Sequence, residues 1–205
     1  MNTVELSSAA EALARKDNIK LPTDLRVLHL KKFRDIPLTV LFSPHHVFAK
    51  AHMDYLAKEG HSMSGMFLSL YESKRTEPLW FRAYATCHSR AIVRRKAASY
   101  AMRALIMALS RGGYDIHGRR LEQPDATDIG HLQADLPGEL YGSIVLSIRD
   151  APGFLKQELS DLVGYFSELL PTMLQGHRKL DQSLNQRSSP RQSFRAGHRQ
   201  GQRHA

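Results

Sequence analysis

The spacing of apolar residues changes period along this chain, and that change restricts the fold more than any other feature. Between Gly142 and Ile148, Ile144, Leu146 and Ile148 alternate with Ser143, Val145 and Ser147, the period-two pattern of a strand. From Leu155 to Met173 the apolar residues return every third or fourth position instead. Leu155, Leu159, Leu162, Val163, Phe166, Leu169, Leu170 and Met173 form the stripe of a core-facing helix. Both periods in one chain predict an α+β fold.

Further strand composition lies at 25–33, 36–42 and 79–85, the last holding Trp80, Phe81 and Tyr84. Helical spacing predicts a short helix over 3–16, broken by Pro22, and four better-defined helices. The first runs from Pro44 to Lys58, with Ser43 as N-cap and Gly60 as stop. The second covers 63–73, with Met63, Met66, Phe67, Leu70 and Tyr71 on one face. The third covers 89–110, with Val93, Ala97, Tyr100, Ala101, Ala104 and Ala108 inward and Gly112-Gly113 at its end. The fourth follows Pro152 to about Leu174, bent by Pro171.

A chain of 205 residues buries roughly 70% of its unfolded surface, so its core needs no staple. The single cysteine, Cys87, excludes a disulfide framework and a cysteine-rich zinc site, and suits the reducing cytoplasm. Neither a signal-peptide layout nor a run of about 20 apolar residues is present, so we expect a cytoplasmic protein without a membrane partner. Lys and Arg number 29 against 20 Asp and Glu, and a net charge of +9 selects an anionic partner, nucleic acid first. Residues 182–205 contain five Arg and no acid, and we expect that tail to be disordered. The expected organisation is an N-terminal segment (1–33), a strand-helix-helix segment (34–78), a helix-rich remainder with short strands (79–180), and the basic tail (181–205).

The segment from Arg34 to Lys74 reads strand, Ser-Pro helix start, helix, Gly turn, second helix. Its turn is Gly60-His61-Ser62-Met63-Ser64-Gly65-Met66-Phe67. This segment resembles the ribbon-helix-helix DNA-binding proteins. Set in a basic protein of this size, it is also similar to the AcaB-type transcriptional regulators of conjugative elements. The resemblance implies that two chains pair one strand each into a ribbon that enters the major groove of duplex DNA. It implies Leu38, Val40 and Phe42 in a dimer core, and Pro37, Thr39 and Leu41 toward DNA. Ser62 and Ser64 would lie near phosphate at the start of the second helix. Family ribbons carry long polar side chains, whereas Thr39 alone offers a hydrogen bond here. Lys31, Lys32 and Arg34 are the nearby cations that would supply charge.

Arg90, Arg94, Arg95 and Lys96 open the third helix against its dipole, which an anion would offset. We expect a phosphate-contacting patch there. Trp80, Arg82 and Tyr84 alternate, so they share one face of their strand; core packing is the expected use, and base stacking the use if that face is open. Of the eleven histidines, His45, His46 and His52 lack metal-ligand spacing, and Cys87-His88 lacks a second cysteine, so we expect no metal and no cofactor. Asp125, Asp128 and Asp135 match no calcium loop. Residues 135–142 read as a turn feeding the last strand. No convergent acid, base and nucleophile is legible, so no catalytic residue is assigned. The expectation is a homodimeric, sequence-specific regulator on double-stranded DNA. The alternatives are an RNA-binding or conjugation accessory protein and an enzyme acting on an anionic small molecule.

Overall fold

The structure, a computed structural model, describes residues 5–28, 35–121 and 139–188, with side chains through Leu174. It is mixed α+β. Four strands, β1 (Arg26–Leu28), β2 (Leu38–Ser43), β3 (Leu79–Ala85) and β4 (Gly142–Ile148), form one sheet in the order β1-β2-β4-β3. β2 runs antiparallel to both neighbours, and β3 runs parallel to β4. The helices are α1 (Ser8–Lys16), α2 (Met53–Leu56), α3 (Ser64–Lys74), α4 (Ala91–Arg111), α5 (Ala151–Phe154) and α6 (Leu159–Ser188).

One sheet face is closed by α4 and α6. Leu38, Val40, Phe42, Ile144, Leu146 and Ile148 point into that layer. They meet the small stripe Ala97, Ala101, Ala104 and Ala108 of α4 and the bulky stripe Leu162, Val163, Phe166, Leu169 and Met173 of α6. The alanines, all fully buried, let α4 approach closely, and α6 supplies the volume. Parallel pairing of β3 with β4 requires a crossover, and α4 lies within it. Gly142 enters β4 at φ +123°, where an added Cβ would overlap the Ser43 carbonyl. A second, smaller core joins Ala10, Leu13, Ile19, Phe48, Met53, Leu56, Tyr71 and Trp80 beneath α1 and α3.

The expected ribbon does not form. Every residue of β2 pairs with β4, and Val40 to Phe42 also pair with β1 in the same chain. Leu38, Val40 and Phe42 therefore fill their own core, and β2 has no edge to offer a partner copy. With it goes the unpaired-edge argument for a homodimer. The sheet also takes strands from three of the four expected segments.

The expected helix over 44–58 is reduced to a 3₁₀ turn, Lys50–His52, and the single turn of α2. Long-range bonds take the amides a helix would need. Val47 N–H donates to Ser143 Oγ (2.9 Å), Phe48 N–H to Lys20 O (3.0 Å) and Ala49 N–H to Tyr71 Oη (2.7 Å). Ser62 does not cap α3; Met63 holds that position without a side-chain bond. The fourth expected helix divides into α5 and α6, and α6 continues through Ser188, into the segment expected to be disordered. Residues 189–205, Lys31, Lys32 and Arg34 lie outside the described residues, as do Asp125, Asp128 and Asp135. Among the described residues no helix is long and apolar enough to cross a membrane.

Candidate anion-binding groove

The strand register fixes which side chains share the sheet's other face. Thr39, Ser147 and Tyr84 form one row, Val27, Leu41, Val145 and Arg82 the next, and Ser43, Ser143 and Trp80 the third. The third row is closed. Trp80 is buried, stacked on His46 at 4.0 Å between ring centroids and 3° between planes, and His46 stacks in turn on Tyr141. Trp80 thus packs as expected from the sequence. The first row is open, with Tyr84 42% exposed. Between them, under α3 and the 3₁₀ turn, runs a groove of about 920 Å³.

The groove floor is apolar, from Leu41 and Val145, and its walls are basic. Lys50, His52, Lys74 and Arg82 line it, and among the described residues no Asp or Glu does. Arg82 is partly buried, and its guanidinium donates to the Phe48 carbonyl at 3.1 Å. Burial pushes its pKa down, while nearby Tyr71 and Tyr84 oppose the shift. It has no carboxylate partner among the described residues. A cation withdrawn from water is normally paired. Arg82 is held in place by a carbonyl and, among the described residues, has no counter-charge.

Tyr71 organises the inner wall. Its hydroxyl oxygen accepts from Ala49 N–H and lies 2.9 Å from His52 Nδ1. Burial pushes the Tyr71 phenol up. Burial lowers the His52 pKa, and the positive charges of Arg82 and Lys74 lower it further. A neutral His52 then accepts the Tyr71 proton at Nδ1. The ring is held from its other side by stacking on Phe67 at 4.1 Å.

The loop after β3 carries the chain from the groove to the start of α4 on the opposite face. Thr86 lines the groove, and its N–H donates to Ile148 O at 3.0 Å, tying the loop after β3 to β4. Arg90 then occupies the N-cap position of α4, without a side-chain cap bond and without an acid in the first turn. Arg90, Arg95 and Lys96 are exposed, whereas Arg94 folds back to donate to Ser89 O at 2.6 Å. Arg94 therefore braces the loop.

Of the residues singled out from sequence, Leu41 lines the groove and Thr39 lies in the open row beside it, whereas Arg90, Arg95 and Lys96 do not line it and belong to the start of α4, the helix that closes the opposite face. Ser62 and Ser64 are not brought to it. They sit at the far end of α3, roughly 15 Å of helix rise from Lys74. Lys50, His52, Tyr71 and Lys74 carry no local signal of a site. Arg82 did: it alternates with Trp80 and Tyr84, and so had to share their face. Comparison with family models, with curated proteins and with solved structures gives no match.

Proposed function

We propose that this chain binds nucleic acid as an unpaired strand laid across the open sheet face. The carrying observation is Arg82, a partly buried cation with no carboxylate partner among the described residues, in a groove whose floor is apolar and whose walls are basic. Exposed Tyr84 offers a ring for base stacking, and partly exposed Leu41 offers apolar contact to a base. Lys50, Lys74 and Arg82 take phosphate. The net charge of +9 supports this reading. A duplex keeps its bases stacked inside, away from such a groove, so the unpaired form is the better fit. Regulation of transcription through such contacts remains within this reading; insertion of a β2 ribbon into a duplex does not.

The test is fluorescence anisotropy with internally labelled 20-nucleotide DNA and RNA strands and the matching duplexes, at two salt concentrations. Unpaired strands bind more tightly than duplexes. Arg82→Gln and Tyr84→Ala each weaken strand binding about ten-fold, a stacking loss of about 1–3 kcal/mol per base being typical. Arg82→Gln lowers the salt slope by about 0.7 per lost phosphate contact, and Tyr84→Ala leaves it unchanged. Equal binding of duplex and strand, untouched by either substitution, refutes the proposal.

A further inference from the structure

Resting on the reading above, we infer that the part of the groove around Arg82 and Tyr71 is a receptor that prefers a phosphomonoester, at a strand end or on a free nucleotide, over the phosphodiesters within a strand. Charge and donors in one groove carry this inference. A phosphodiester carries a single negative charge. A phosphomonoester carries about −1.5 to −2 at pH 7 and presents three strong acceptor oxygens.

Arg82 on β3 and Lys74 on α3 both lie within electrostatic reach of His52, on the 3₁₀ turn. Tyr71 stands among them, its hydroxyl 2.9 Å from His52 Nδ1 and in contact with Arg82. Two permanent cations and a hydroxyl thus line one groove with His52, and among the described residues no acid lines it. The buried pair Tyr71 and Trp80, 5.5 Å apart between centroids, packs in the second core behind it. A strand that ends there supplies the doubly charged head that two cations and a hydroxyl fit.

The donors are prearranged. The Phe48 carbonyl fixes one guanidinium nitrogen of Arg82, which orients the rest of that planar fork. The Ala49 N–H occupies one lone pair of the Tyr71 oxygen, which leaves its proton to His52 or to an arriving oxygen. Both anchors come from the segment 48–52, the stretch that gave up helical bonding to make them.

The test uses the full chain with four internally labelled eight-nucleotide strands of one sequence: 5′-phosphate, 3′-phosphate, both ends hydroxyl, and both ends phosphate. Adenosine 5′-monophosphate and inorganic phosphate are titrated as competitors. One terminal phosphate is expected to tighten binding about ten-fold or more over the hydroxyl-ended strand. That advantage should vanish in Arg82→Gln and in Lys74→Gln, the second covering the case in which the first does not fold. Tight binding of adenosine 5′-monophosphate with no binding of any strand supports the receptor and overturns the strand reading. Equal binding of all four strands, weakened equally by Arg82→Gln, overturns the receptor and leaves the strand reading standing. Binding of none of these molecules overturns both.

Discussion

The two faces of the sheet follow opposite rules. Toward α4 and α6, the residues of β2 and β4 that point inward are apolar and almost fully buried; Arg26, at the outer end of β1, is the exposed exception on that face. On the other face, the rows run from buried Trp80 through partly buried Arg82 to exposed Tyr84, and cations line what the second core leaves uncovered. The first face holds the fold together; the second carries surface that the fold does not need. Substitutions on the two faces should therefore separate stability from binding.

The largest effect belongs to the closed face. Phe166→Ala and Leu146→Ala each leave a cavity in a close-packed layer and are expected to cost about 3–5 kcal/mol in urea unfolding. Tyr84→Ala on the open face is expected to change stability by no more than about 0.5 kcal/mol, while weakening strand binding. If Tyr84→Ala destabilises as much as Leu146→Ala, the open face is a core and the comparison fails.

Gly142→Ala tests the junction of the faces. At φ +123°, with the Ser43 carbonyl in the way, an alanine forces the β4 entry to shift, at about 1–3 kcal/mol. Differential scanning calorimetry should show a lower Tm. An unchanged Tm would mean that β4 starts elsewhere in solution.

Arg82→Met gives a smaller and more telling result. If Arg82 served packing, its loss would destabilise the sheet. As an unpaired cation, its replacement by an apolar chain removes a desolvation cost and leaves one carbonyl, that of Phe48, without its donor. The two effects oppose each other, and stability should move by no more than about 1 kcal/mol while anion binding is lost. Urea unfolding and anisotropy on the same sample decide it.

What could be read from the sequence was whatever is decided locally. The alternation of 142–148 and the composition of 79–85 matched β4 and β3 residue for residue, because each strand has a real inside and outside. The alanine stripe of α4 and the Leu/Phe stripe of α6 matched for the same reason. Residues 44–58 misled because their fate depends on Lys20, Tyr71 and Ser143, distant in sequence, which compete for the same amides. β2 misled in a related way. A strand paired on both sides within a chain and a strand awaiting a second copy have the same local pattern, and only β4, a hundred residues on, distinguishes them. The groove inherits that difficulty: Lys50, Lys74 and Arg82 come from three elements, and no spacing connects them.

The smallest expected effect is in the pH dependence, and it separates the two sides of Trp80. Both His46 and His52 have pKa values lowered from 6.5, chiefly by burial. The folded chain therefore holds fewer protons at these sites than the unfolded chain. Their contribution to stability is present above pH 6.5 and is lost as the pH falls below it toward the lowered values. Urea midpoints should drop between pH 7.5 and 5.5, a window above the ordinary carboxylate range. The two histidines then part company. His46 is sealed between Trp80 and Tyr141, with Nε2–H donating to the Pro78 carbonyl at 3.0 Å, so a groove ligand leaves its share of the slope unchanged. His52 is held down partly by Arg82 and Lys74, whose charges a bound phosphate neutralises. Saturating ligand should therefore flatten part of the pH slope in the wild-type chain and none of it in His52→Gln. Flattening of the same size in both would move the bound anion away from His52, to the basic start of α4.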